Sequence, residues 1–281
     1  MAWWIWPLAL FAVTFALGIL AVLAGVGGGV LFVPIVAGFF PFHIDFVRCA
    51  GLLLALSGAL SAAPGMLRSG FSSLRLAVPL ALVGSITSAA GALLGLALPD
   101  RVIHLALGAT ILGIAALMWS APRPAGAQGV APDPLATALA MHGIYHDPAT
   151  GRDVEWRAGR APQGLVLFAG IGLLAGMFGL GAGWANVPVL HLVMGAPLKL
   201  SIGTSGLVLS VVDSSAAWIY VNRGAVLPML VAPSLIGVIL GARIGVRLLR
   251  IAHAGVLRRL VIALLLLAGA RALLKGLGVW A

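Results

Sequence analysis

The chain has 281 residues, of which 62% are hydrophobic and 9% are charged, and its mean hydropathy is +1.14. A soluble domain carries about 45–50% apolar and about 25% charged residues. The composition therefore excludes an ordinary soluble enzyme and a disordered chain, and it predicts an all-α polytopic membrane protein. Seventeen Lys and Arg against seven Asp and Glu give a net charge of +10. The basic residues stand at the ends of apolar runs, which indicates contact with the lipid bilayer and no nucleic-acid partner.

The first half of the chain contains five apolar runs, and the N-terminal tryptophans Trp3, Trp4 and Trp6 predict an interfacial anchor for the first of them. No basic segment precedes this run, so we expect no cleavable signal peptide. The runs cover residues 5–24, 30–40, 47–66, 76–98 and 102–119. The second run is about half as long as a membrane span and follows a glycine cluster, which predicts a half-helix.

A polar segment, residues 120–163, separates the two halves. Its first part is rich in Pro, Gly and Ala and is typical of a linker. Residues 143–156 predict a β-hairpin that turns at 147–151. We interpret the segment as a solvated connector, with a regulatory contact as the alternative. The predicted domains are therefore a first transmembrane repeat (1–119), a connecting loop (120–163) and a second transmembrane repeat (164–281).

The second half repeats the order of the first, with runs at 164–182, 184–194, 200–221, 225–249 and 256–279. The sequence Gly25-Val-Gly-Gly-Gly-Val-Leu-Phe-Val-Pro34 matches Gly179-Leu-Gly-Ala-Gly-Trp-Ala-Asn-Val-Pro188 at a constant offset, and Gly70 and Gly224 keep that offset. An internal duplication with about five membrane segments in each half explains this pattern.

The distribution of Lys and Arg favours one topology. If the half-helices complete crossings, ten segments result, and most basic residues fall on one side, as cytoplasmic loops require. If they are re-entrant, eight spans result, and the two sides are nearly equal. We prefer ten segments, which makes the repeats inverted. We therefore predict a multi-pass protein of the cell (inner) membrane, with residues 120–163 in the cytoplasm.

The glycine clusters predict the functional site. Non-helical backbone inside a bilayer is tolerated where it is buried in protein or lines a cavity, and broken segments at matching positions of two repeats indicate a transporter's binding site. Each break exposes the N-terminus of a half-helix, whose free N–H groups favour an anion. Close packing of helices through small residues is the alternative explanation. We expect valine at Gly28 or Gly181 to abolish transport without abolishing insertion.

The Gly-x-Gly-Gly-Gly-x-x-x-Val-Pro pattern, its copy in the second half and Ile202-Gly-Thr-Ser205 resemble the TauE/SafE family of membrane transporters. The resemblance implies movement of sulfite or organosulfur and related organic anions. The first half departs from the pattern, because Ala50 and Gly51 stand opposite Thr204 and Ser205. The expected substrate-binding residues are Gly27, Gly28, Gly29, Pro34, Gly181, Ala182, Gly183, Asn186, Pro188, Thr204 and Ser205.

Three charged residues complete the predicted machinery. Arg48 and Lys199 precede the segments that follow the half-helices, so we expect them at the entrances, where they would draw in an anion. Asp213 is the one acidic residue well inside a predicted span, where a charged carboxylate costs roughly 2.5–3.5 kcal/mol. It is the candidate for proton coupling or gating. A structural Asp and a cation site are the alternatives.

Other activities have weaker support in the sequence. Gly203-Thr-Ser-Gly206 matches an intramembrane protease motif, but no histidine is placed to act as its base. His142 and His146 could ligate a metal on a helix, but the surrounding Gly and Pro favour loop histidines. We therefore expect no catalytic residues, no metal and no cofactor. The predicted function is a secondary transporter of a small anionic substrate, and the protein could form a homo-oligomer. A passive anion channel and a membrane subunit serving a partner protein remain as alternatives.

Overall fold

The computed structural model describes residues 5–24, 28–68, 70, 72–120, 133–147, 152–181, 183–248 and 254–279. Of the predicted anchors and site residues, four lie outside them: the anchors Trp3 and Trp4, and the site residues Gly27 and Ala182. Lys199 is described for its backbone alone.

The described part of the first half consists of helices joined by short turns. They are α1 (Ile5–Ala24), α2 (Gly28–Phe39), α3 (Ile44–Arg68), α4 (Leu74–Ala97) and α5 (Asp100–Ser120). The connector forms α6 (Pro134–Ala138), β1 (His142–Asp147) and β2 (Arg152–Arg157). The second half forms α7 (Ala161–Phe178), α8 (Gly183–Pro188), α9 (Leu198–Asn222), α10 (Pro228–Leu248) and α11 (Ala254–Leu277). A π-helical segment, Val189–Val193, continues α8 directly.

Large apolar side chains also cover the outer faces of the helices. Ile86 on α4 and Val166 on α7 are each 72% exposed. In the described part of the chain, three helices are long and apolar enough to cross a membrane, and three apolar ones are shorter. The long ones are Leu74–Ala97, Ala161–Phe178 and Leu200–Asn222; the shorter ones are Ile5–Ala21, Gly28–Phe39 and Pro228–Ile244. An outer surface of this kind suits lipid and not water.

Each half-helix runs back toward the start of the helix before it. The Trp6 ring at the start of α1 lies 5.8 Å from the Phe40 ring just after α2. In the second half, the Gly159 N–H just before α7 donates to the Met194 carbonyl, which follows the π-helical segment, at 3.0 Å. This course is the one that the ten-segment count requires. The number of membrane crossings stays a prediction.

The first helix of each half packs against the fourth helix of the other half, α1 on α10 and α7 on α4. Small residues allow the backbones to approach closely. A Cβ at Gly91 on α4 would overlap the Leu173 carbonyl on α7, and one at Gly241 on α10 would overlap the Phe15 carbonyl on α1. The two halves therefore interlock, and neither half forms its core alone.

Corresponding helices of the two halves lie antiparallel. Cys49 near the start of α3 packs in one core cluster with Tyr220 near the end of α9. Beyond the other end of α3, the Ser73 N–H donates to the Thr204 hydroxyl near the start of α9, at 3.1 Å. Likewise, the Arg101 side chain at the start of α5 donates to the Gly276 carbonyl at the end of α11, at 3.1 Å.

The connector packs against the membrane helices. Strands β1 and β2 pair antiparallel with His142 opposite Arg157, in the segment where the sequence predicts a hairpin. Met141 and Trp156 are 1% and 5% exposed, and they share a core cluster with Leu190 and Met194 at the end of the second half-helix. In the described part of the connector, the alternating Val154 and Trp156 give the hairpin one apolar face, which packs against the membrane helices.

Asp133 fastens the connector to α7. One carboxylate oxygen accepts from the Ala136 N–H at 2.7 Å and caps α6, and the other accepts from the Ala161 N–H at 2.6 Å. These bonds, with that from Ala136 first, hold the pKa of the Asp133 carboxyl below its usual value. The ionised carboxylate thus satisfies the free N–H groups of two helix starts.

Candidate functional site

The first half-helix begins at the glycine cluster. Gly28 and Gly29 form the first turn of α2, where backbone N–H groups have no partner within the helix. Gly27 lies outside the described residues. Pro34 is buried inside α2. A Cβ at Gly28 would meet the Val238 side chain at 3.5 Å, an ordinary contact, so this position has room for a methyl group.

The second break is built by two glycines with left-handed backbone. Helix α7 ends at Gly179, whose φ is +69° and whose N–H donates to the Ala175 carbonyl at 2.9 Å, which is a common glycine termination. Gly181 has a φ of +72°, a conformation that costs other residues energy. Helix α8 then starts at Gly183, and Pro188 near its end is exposed. Ala182 lies outside the described residues.

The two breaks meet beside Gly51, in the first third of α3. A Cβ at Gly29 would lie 2.6 Å from the Leu180 carbonyl oxygen and 2.9 Å from the Gly51 carbonyl oxygen. A Cβ at Gly51 would overlap the Gly179 carbonyl oxygen and the Val33 side chain. Gly51 corresponds to Ser205 of the second half. The close contacts explain why the first half has a glycine at this position, since a side chain would not fit between the two breaks.

Asp213 lies beside the second break. Its carboxyl group is fully buried in α9, and a Cβ at Gly181 would lie 3.0 Å from its Oδ2 and 2.8 Å from the Ala55 Cβ. The chain thus brings the one carboxyl group of the α9 interior against the left-handed glycine between α7 and α8. The coupling role of Asp213 stays a prediction.

Asn186 is the most conspicuous polar group of the half-helices. It is fully buried on α8, and neither its amide nitrogen nor its amide oxygen has a hydrogen-bond partner among the described residues. The Trp184 indole N–H, two residues earlier, is also buried without one. Leaving a buried polar group unsatisfied costs about 1–3 kcal/mol.

Thr204 and Ser205 are buried near the start of α9, at 0% and 5% exposure. The Thr204 hydroxyl oxygen accepts from the Ser73 N–H, so it anchors the turn before α4. Its own proton is free to be donated elsewhere. Their role as substrate donors stays a prediction.

Arg48 is placed differently from a residue at an open entrance. It is 1% exposed, its guanidinium pairs with the Asp45 carboxylate, and it donates to the Met177 carbonyl at 3.0 Å. The Tyr220 ring faces the guanidinium at 5.5 Å, and the Tyr220 hydroxyl donates to the Gly176 carbonyl at 3.0 Å. Together they satisfy carbonyls that the end of α7 leaves free. The entrance role of Lys199 stays a prediction, since its side chain is not described.

Sequence reasoning missed Tyr220 and Trp184. The sequence holds two tyrosines, and Tyr220 is the one inside an apolar span, which is a signal for a buried hydroxyl with a specific partner. Trp184 directly follows the second glycine break, where an indole N–H is close to free helix ends. Neither signal identifies the partner without the tertiary structure.

Comparison with known proteins supports the interpretation of the glycine motifs. The sequence profile of the family described as "Sulfite exporter TauE/SafE" matches residues 10–272, which includes both halves and the connector. No curated protein and no solved structure matches the chain significantly. A match over nearly the whole chain, with both glycine breaks inside it, identifies a membrane transporter. The chain belongs to the sulfite exporter TauE/SafE family.

Proposed function

We propose that the protein is a secondary transporter that moves sulfite or a small organic sulfonate across the cell (inner) membrane by alternating access, coupled to protons. The observation that carries the proposal is the meeting of the two helix breaks, at Gly29 and Leu180. Transporters of many folds place their substrate site between broken helices from two repeats.

Uncharged donors would hold the anion at this site. They are the free N–H groups of α2 at Gly28 and Gly29, the buried Asn186 amide, and the hydroxyls of Thr204 and Ser205. The N-terminus of a helix such as α2 carries roughly half a positive charge. The burial of Asn186 without a hydrogen-bond partner among the described residues supports its place among the donors.

Inverted repeats would provide the two access states. The antiparallel packing of α3 on α9 and of α5 on α11 is the relation expected for repeats of opposite orientation. Helices α1 with α10 and α4 with α7 would then be the moving contacts, where small residues bring the backbones of the two halves close together. The boundaries 1–119 and 164–281 define the two proposed units.

Asp213 would carry the coupling proton. Its carboxyl group is fully buried in α9 beside Gly181, at the second break. Release of the proton would require a change at the second break. Substrate movement and proton movement would then use one structural element.

The test is transport by the purified protein in proteoliposomes. Uptake and efflux of sulfite, methanesulfonate, sulfate and acetate are measured with and without an imposed pH gradient. We expect sulfite or sulfonate flux that a pH gradient drives uphill. Flux that only equilibrates, whatever the pH gradient, would establish a channel or an uncoupled carrier, and absence of flux for every anion would refute the proposal.

A further inference from the structure

We infer that Tyr220 is a positioning residue of the transport site: its hydroxyl holds the last turn of α7 and thereby fixes the second helix break. This inference rests on the proposed function, because it names a residue that acts on the proposed site without touching the substrate. It follows from the contacts of the Tyr220 side chain with the end of α7.

The Tyr220 hydroxyl joins two helices. Tyr220 is fully buried on α9, and its hydroxyl donates to the Gly176 carbonyl at 3.0 Å and to the Met177 carbonyl at 3.3 Å. Both carbonyls belong to the last turn of α7, where a helix supplies no N–H partners of its own. Leaving a buried carbonyl unsatisfied is costly, so these bonds favour one position of the helix end.

Arg48 completes the contact from α3. Its guanidinium donates to the same Met177 carbonyl at 3.0 Å and lies 5.5 Å from the centre of the Tyr220 ring. On α4, a Cβ at Gly95 would lie 2.7 Å from the Met177 carbonyl oxygen and 3.2 Å from the Tyr220 hydroxyl oxygen. Groups from three helices therefore enclose the end of α7.

The enclosed turn leads directly into the second break. A Cβ at Gly179 would overlap the Arg48 backbone, so the chain is closely packed at this glycine as well. The next residue, Leu180, places its carbonyl against Gly29 of the first break, and Gly181 follows with its left-handed backbone. A shift of the last turn of α7 would therefore displace Leu180 and Gly181 at the proposed site.

The duplication does not repeat this contact. At the offset that relates the two glycine motifs, Met66 corresponds to Tyr220 and Ile202 corresponds to Arg48. Neither of these side chains can donate a hydrogen bond. The hydroxyl contact is therefore specific to the second break.

The test compares Tyr220→Phe, which removes only the hydroxyl, with Thr14→Val. The Thr14 hydroxyl is the matched control, because it is also fully buried and also donates to two carbonyls, those of Leu10 and Phe11, but within its own helix α1. Uptake of sulfite and of methanesulfonate into proteoliposomes is measured over a range of concentrations. A loss of stability alone lowers the number of folded carriers and hence Vmax, whereas a displaced binding site raises KM.

Cys49 provides a second readout, which does not depend on transport. It is the single cysteine of the chain, it is fully buried, and it shares a core cluster with Tyr220. Its rate of modification by N-ethylmaleimide, in sulfite-free buffer and well below the thermal midpoint, measures how often this cluster opens.

We expect Tyr220→Phe to raise the KM of the transported anion several-fold and to accelerate Cys49 modification by up to about tenfold. Thr14→Val should stay close to the wild type in both measurements. An unchanged KM in Tyr220→Phe, or a raised KM without faster Cys49 modification, would overturn the inference while leaving the transporter intact, and so would equal changes in both variants. Absence of uptake of both anions by the wild-type protein would instead refute the proposed function.

Discussion

Gly181 allows the geometry of the second helix break to be tested quantitatively. It combines two constraints, a φ of +72° and a hypothetical Cβ only 2.8 Å from the Ala55 Cβ and 3.0 Å from Asp213 Oδ2. Left-handed backbone costs a residue with a side chain roughly 1–2 kcal/mol. Overpacking a filled interior costs about 1–3 kcal/mol. Gly181→Ala should therefore destabilise the fold by about 2–5 kcal/mol and abolish transport.

Two other glycines separate these contributions. Gly224 has nearly the same φ, +73°, but nothing lies within 4 Å of its hypothetical Cβ, so Gly224→Ala isolates the backbone strain. Gly28 is helical and has room for a methyl group, with Val238 at 3.5 Å, so Gly28→Ala isolates the added methyl. We expect a loss of about 1–2 kcal/mol for Gly224→Ala and a change within about 0.5 kcal/mol for Gly28→Ala.

The measurement is the thermal midpoint of the purified variants in detergent, followed through tryptophan fluorescence, together with flux in proteoliposomes. The expected order of stability is wild type close to Gly28→Ala, then Gly224→Ala, then Gly181→Ala. Gly224→Ala should retain transport, because Gly224 lies in the turn after α9 and away from the breaks. A Gly181→Ala protein as stable as Gly224→Ala would show that Ala55 and Asp213 do not crowd this glycine.

Three further changes test other parts of the structure. Asp213→Asn should insert normally and leave anion exchange without proton-driven accumulation; accumulation at the wild-type level would rule out the coupling role. Arg48→Ala should lower the unfolding free energy by about 1–3 kcal/mol, because the Met177 carbonyl and the half-buried Asp45 carboxylate would lose the guanidinium; normal thermal stability with lost transport would instead support an entrance role. Asp133 has a lowered pKa, so its contribution to stability is present above the ordinary carboxyl pKa and is lost as pH falls through the folded-state value. The protection factor of the Ala161 amide, which corrects for the slower intrinsic exchange in acid, should therefore fall as the pH drops through that range, and protection that persists below it would contradict the bond to Asp133.

The sequence alone determined the class of protein and the local course of the chain. Excess apolar composition requires a bilayer, and glycine clusters followed by short apolar runs predict broken helices, because glycine weakens a helix and the remaining runs are too short to span. The motif around Gly179 and Pro188 also led to the family, which the profile match confirms. These features depend on residues that are close in the sequence, so the sequence alone predicts them.

What only the tertiary structure decided is which groups meet. Gly28 and Gly29 are neighbours in one motif, yet Gly28 has room for a side chain and Gly29 faces the Leu180 carbonyl from the other half. The sequence predicts Arg48 at an entrance. In the structure its guanidinium is buried, pairs with Asp45 and donates to the Met177 carbonyl at the end of α7. These contacts join residues more than a hundred positions apart, so they depend on how the two halves pack together. Where two backbones touch, the sequence shows only a glycine, and a glycine does not identify the segment that it contacts.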